Sequence, residues 1–104
     1  MKKTVFAAAL LALALPLAPA PAAAGPIERA CLNSGRAAAT RALCSCIDRV
    51  AAQTLTRGDQ RQAARFFRDP QRAQDVRMSQ TERDNAFWQR YRAFASAAET
   101  HCAR

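Results

Sequence analysis

Four cysteines, Cys31, Cys44, Cys46 and Cys102, and a single histidine, His101, are the side chains here best able to do covalent or metal chemistry. Thiolates with an imidazole suit Zn or Cu(I), a close thiol pair suits redox exchange, and a cysteine beside a base suits nucleophilic catalysis. The spacing favours none of these. Cys44 and Cys46 flank Ser45 without a Cys-x-x-Cys or haem-attachment motif. His101 adjoins Cys102, so on a helix their side chains diverge by about 100° and do not form a dyad. The pattern instead reads as two structural disulfides. Of the three connectivities that four cysteines allow, joining Cys44 to Cys46 is disfavoured, because residues two apart on a helix point roughly 200° apart. One of the two is expected to bridge Cys31 and the other Cys102, with the assignment open.

Arginine is the second chemical feature. Arg57, Arg61, Arg65 and Arg68 fall within an arc of about 80° at helical spacing, and Arg72 continues the line if the chain stays helical past Pro70. Guanidinium forks pair bidentately with phosphate or carboxylate, so this stripe is a candidate anion-binding face for lipid headgroups, cell-wall anions or nucleic acid. The plainer reading is a solvated polar face. Phe66 and Phe67 lie on the other side of the same helix, and Phe87, Trp88, Tyr91 and Phe94 recur at core spacing. A nucleic-acid platform would interleave aromatics with basic residues on one surface, and here the two classes separate.

The compartment follows from the first residues. Lys2 and Lys3, the apolar run Val5 to Leu15, and Ala22-Ala23-Ala24 have the form of a general secretory signal peptide, with cleavage expected after Ala24. A spanning helix needs about 20 apolar residues, whereas Pro16, Pro19 and Pro21 interrupt this stretch. Glu28-Arg29-Ala30 before Cys31 is wrong for a lipidation box, and no twin-arginine pair precedes the apolar run. The protein is therefore expected in the periplasm or secreted, where disulfides persist. Residues 25–104 then form one domain with 14 arginines, 8 acidic residues and a net charge of +6. A core of this size is marginal, which gives covalent staples a purpose.

The elements that position these residues are all helical. Gly25, Gly35 and Gly58 with Pro26 and Pro70 are the punctuators, and no segment alternates with period two. The pattern predicts a short helix over Ile27 to Leu32 ending at Asn33-Ser34-Gly35, and a second from about Ala37 to Leu55 with Leu43, Ile47, Val50 and Thr54 as its apolar stripe. Cys44 and Cys46 flank that stripe on opposite sides. Thr56 caps a third helix to Arg68 that buries Ala63, Phe66 and Phe67. Asp69-Pro70 caps a short piece to about Val76, and Ser79-Gln80-Thr81-Glu82 forms a capping box for the last helix. That helix carries Phe87, Tyr91, Phe94 and Ala98, with Trp88 and Ala95 at the edge. The expected fold is an all-α, disulfide-stapled bundle of about four helices.

Gly25-Pro26-Ile27-Glu28-Arg29-Ala30-Cys31, Leu43-Cys44-Ser45-Cys46-Ile47, Asp59-Gln60-Arg61, Phe66-Phe67-Arg68-Asp69-Pro70 and Ala86 to Phe94 with the late Cys102 carry a resemblance. The chain resembles a family of short exported alphaproteobacterial proteins whose members often bear the label "arginine transporter". The likeness covers nearly the whole of residues 25–104 and includes the cysteine order. It implies an exported helical protein and carries over no catalytic or binding motif.

Taken literally, the transport label conflicts with membrane physics, since a transporter crosses the bilayer with helices or a closed barrel and nothing after the signal peptide offers either. An accessory arginine-binding role would need a carboxylate for the guanidinium and donors for the ligand's carboxylate. The candidate acids Asp48, Asp59 and Asp84 are scattered. The sequence therefore reads as a non-enzymatic structural or interaction protein without cofactor or metal, whose partner is an envelope protein or anionic surface. The alternatives are anion binding through the arginine stripe and an accessory role in arginine uptake.

Overall fold

The computed structural model describes residues 24–102. Nearly all of the expected export segment, residues 1–24, lies outside the described residues. Five α-helices follow in order: α1 (Pro26–Leu32), α2 (Arg41–Thr54), α3 (Arg57–Arg68), α4 (Pro70–Met78) and α5 (Glu82–Cys102), with no strand among the described residues. The all-α, disulfide-containing bundle is thus as expected, with α4 a full element of its own that runs two residues beyond Val76.

Local chemistry explains most boundaries. Pro26 at the first turn of α1 needs no intrahelical donor. The helix ends where the Ser34 hydroxyl donates to the Cys31 carbonyl at 2.7 Å and Gly35 turns the chain at φ +74°, a conformation that favours glycine. The expected start of α2 near Ala37 is corrected to Arg41. Ala37 to Ala39 offer no side chain to satisfy the free N–H groups of a helix start, whereas the Thr40 hydroxyl accepts from the Leu43 N–H at 3.1 Å. Thr56 caps α3 as expected, accepting from the Asp59 N–H at 3.1 Å.

Asp69 makes no side-chain cap on α4, so the expected cap there is replaced by Pro70 alone as the start signal. The capping box expected at Ser79 does not form, and a one-way cap two residues on, at Thr81, takes its place. Thr81 Oγ1 accepts from the Asp84 N–H at 3.2 Å, while the Ser79 hydroxyl accepts from the Thr81 N–H, so Ser79 orders the turn and Thr81 starts α5.

Helix α1 rests on α2 and α3, α2 on α5, and α4 joins α3 to α5. Ile27, Ala30, Val50, Ala51, Leu55, Ala63, Ala64 and Phe94 form the larger core. Phe66, Val76 and Phe87 form a smaller one. Tyr91 touches both; its ring lies 5.2 Å from Phe66, 5.9 Å from Phe87 and 5.9 Å from Phe94. Burial pushes its hydroxyl pKa up, against a smaller downward pull from Arg36.

The stripe expected on α2 holds at Val50, which is buried, and at Ile47, which packs against the larger core, and is displaced by one residue toward its ends. Thr54 is exposed and donates its hydroxyl to the Val50 carbonyl, and Cys44, Ala51 and Leu55 join Val50 in the buried line. The Cys31–Cys44 bond lies on that edge, where α2 meets α1. On α5, Ala95 faces solvent and Ala97 joins the core edge.

The disulfides are Cys31–Cys44, spanning 13 residues with Cα atoms 5.5 Å apart, and Cys46–Cys102, spanning 56 with Cα atoms 5.8 Å apart. This resolves the open pairing. Cys44 and Cys46 leave α2 in opposite directions, one toward α1 and the other toward α5, as their separation on the helix requires.

Candidate functional site

The helical repeat places Arg57, Arg61, Arg65 and Arg68 along one exposed face of α3, about 16 Å from first to last. Asp59 in the first turn and Arg65 and Arg68 in the last complement the helix dipole, while Arg57 at the positive end works against it. The opposite face buries Phe66. This separation keeps the guanidiniums in water and leaves the ring in the core.

Helix α1 runs beside this face and changes its character. Pro26, Arg29, Ala30 and Asn33 from α1 meet Arg61, Ala64, Arg65 and Arg68 from α3 around a recess of about 410 Å³. A second recess of about 370 Å³ extends it toward Arg57 and the start of α1, with Arg29 and Arg61 lining both. A third, shallower one carries the line through Arg65 and Arg68 to Arg72. Together they make a basic furrow. No carboxylate lines the first two recesses, and Asp69 stands at the far end of the third.

The small side chains Ala30 and Ala64, both buried, form the furrow's floor and let the two helices approach closely. Arg29 is the residue that reading α3 alone misses. Its nearest sequence neighbours are unremarkable, and only the packing of α1 on α3 brings it to the stripe. Its Nη1 donates to the Ala24 carbonyl at 2.6 Å.

No side chain of the stripe takes part in an ion pair among the described residues. The ion pair that does form lies elsewhere: Arg90 of α5 clasps Asp59 through Nε at 2.6 Å and Nη2 at 3.1 Å. The hydrogen bond from Arg90 holds the Asp59 carboxyl below its ordinary pKa, against the upward push of its burial. Such a fork fixes the α3–α5 spacing.

The three candidate acids are kept apart. Asp48 Oδ1 accepts from the Glu28 N–H at 3.1 Å, capping α1 from α2. Asp59 is engaged by Arg90, and Asp84 sits in the first turn of α5. They share no recess. The four sulfurs are all taken in disulfides, so the arrangement of thiolates with His101 weighed as a soft-metal or redox alternative is not formed. Among the described residues no cluster of three or more His, Cys, Asp or Glu side chains is placed to hold a metal ion, and no helix is long and apolar enough to cross a membrane.

Arg36, just past Gly35, lies with its guanidinium 5.7 Å from the Phe67 ring centroid, a cation–π contact that pins the α1–α2 loop over α3. Phe67 is half-buried beneath it, and Trp88 is half-buried against the smaller core. The expected aromatic core therefore holds, fully at Phe66, Phe87 and Phe94 and partly at Phe67, Trp88 and Tyr91. Comparison of the chain with protein-family models, with curated proteins and with solved structures finds no match.

Proposed function

We propose that this is an exported, non-enzymatic interaction protein, released by cleavage after Ala24, that binds an anionic surface of the cell envelope through the α1–α3 furrow. The observation that carries the proposal is the arrival of Arg29 from a second helix beside Arg61, Arg65 and Arg68, around a recess lined by no carboxylate. A solvated face has no need of guanidiniums converging from two helices. Convergence lets several of them meet one oxyanion or a row of them. The two disulfides accord with an oxidising compartment.

The test is binding of the protein to anionic vesicles and to heparin across a salt series. Replacing Arg61, Arg65 and Arg68 by Gln is expected to weaken binding and to lower the slope of log affinity against log salt by about 2 units. Helical content should be unchanged. The control replaces Arg77, Arg83 and Arg92, which are exposed on α4 and α5, and alters net charge equally. Equal losses in the two triple variants would mean that only total charge matters, which rejects the furrow.

A further inference from the structure

Gly25, the residue after the expected cleavage point, lies against Asp48 of α2. A side-chain carbon built at Gly25 collides with the Asp48 carboxylate, falling 2.7 Å from Oδ2 and closer still to Oδ1. Any larger residue here would have to push this carboxylate aside. By bond geometry the Gly25 nitrogen lies within about 5 Å of its oxygens. Asp48 is itself held, accepting from the Glu28 N–H, on a helix that Cys44 ties to α1. Pro26 has no N–H to offer it. The carboxylate thus has one backbone donor fixed on Oδ1 and both of its oxygens beside Gly25.

We propose that Asp48 is the receptor for the amino terminus created when the Ala24–Gly25 bond is cut, and that the same cut completes the anion furrow by releasing Arg29. This rests on the export reading above. In the cut, a signal peptidase adds water across the amide. The C–N bond breaks, the water oxygen goes to an Ala24 carboxylate, and the Gly25 nitrogen gains the protons to become an ammonium. An ammonium about 5 Å or less from a carboxylate is attracted to it. Ala24 departs with the leader, and its carbonyl no longer occupies Arg29. Arg29 then faces the recess it already lines with Arg61 and Arg65. The processed end of α1 becomes an ion pair, and the neighbouring guanidinium becomes a ligand donor.

The chain offers a clean test because Lys2 and Lys3 are its only lysines. In the protein that starts at Gly25 the α-ammonium is the sole amine, so acetylation with an N-hydroxysuccinimide ester modifies that group alone. Acetylation is expected to lower the melting temperature of the parent by about 4 °C or more and to leave the Asp48→Asn variant unchanged. Asn keeps the acceptor for the Glu28 N–H and removes only the charge. Equal shifts in the two proteins, or no shift in either, would overturn the receptor.

A chain extended by Ala22-Ala23-Ala24 should bind heparin about threefold more weakly than the chain starting at Gly25, the worth of one exposed charged contact. Equal affinity would overturn the release of Arg29. If neither chain binds heparin or anionic vesicles while the acetylation result holds, the furrow reading falls and the role of Asp48 stands. A native protein that begins at a residue other than Gly25 overturns the inference at its first step.

Discussion

Brief treatment of the native protein with a small dithiol, followed by alkylation, is expected to open Cys46–Cys102 well before Cys31–Cys44. Cys31 and Cys44 are buried, with Cys44 wholly sealed from solvent, whereas Cys46 and Cys102 are half-exposed. Thiol–disulfide exchange needs a thiolate to reach sulfur. The bond that opens first is also the one that constrains the unfolded chain more, since it spans 56 residues against 13. The chain-entropy relation gives about 4 kcal/mol for the long loop and about 3 kcal/mol for the short one. For about 80 residues, an unfolding entropy of about 0.17 kcal/mol/K converts the larger figure into a melting-temperature loss of about 25 °C. Domains of this size hold roughly 4–12 kcal/mol in total, so the singly reduced protein should fold only marginally. The assay is mass spectrometry of alkylated peptides against time, with thermal melts of the isolated singly reduced species. Labelling of Cys31 and Cys44 first, or a fall of only a few degrees, would refute the reasoning.

Two further outcomes are expected from the core and its ion pair. Because the folded-state pKa of Asp59 is depressed below 3.8, its pairing with Arg90 stabilises the fold above the unfolded carboxyl pKa and is lost as pH falls through the lower, folded value. Asp59→Asn should therefore be less stable than the parent at neutral pH and converge with it in melts as the pH falls through the depressed value of the folded carboxyl, and a constant gap from neutral to acid pH would contradict the pair. Phe87→Ala should cost about 3–5 kcal/mol, since Phe87 anchors the smaller core with Phe66 and Val76; a urea titration that shows less than about 1 kcal/mol would place the ring outside the core.

Helix identity was legible wherever apolar spacing and a cap agreed, as at Thr56 and along Phe87 to Phe94. It failed where the signal was weak or ambiguous. Alanines 37–39 have high helix propensity but cannot cap, so Thr40 decided the start. Ser79 and Thr81 both precede an acidic residue by three, and only the Thr81 register begins the helix. The cysteine spacing disfavoured a bond between Cys44 and Cys46 and pointed to different partners for the two, since residues two apart on a helix diverge. Which partner each took depended on the direction in which α1 and α5 approach, and a local pattern does not encode that. The same limit hid the Asp48 cap on α1 and the Asp59–Arg90 fork, whose partners are 20 and 31 residues apart. The arginine stripe was readable on α3 alone. Its second wall was not, because Arg29 reaches it only through helix packing.

The distribution of the two staples divides the molecule unequally. Both originate on α2, two residues apart, and they hold α1, α2 and α5 together. Helices α3 and α4 carry no covalent tie, and α4 contributes only Val76 as a buried side chain. Local opening should follow that division, with amide hydrogens of α4 exchanging first, those of α3 next, and those of α2 protected until global unfolding. The helix bearing four arginines thus lies on the side of the molecule that opens at lower free energy. An anion held between α1 and α3 would act as a third, reversible tie, slowing exchange by the factor 1 + [L]/Kd in every segment whose opening destroys the furrow, in α3 through its local opening and in α2 through global unfolding, while leaving the local opening of α4 unaffected.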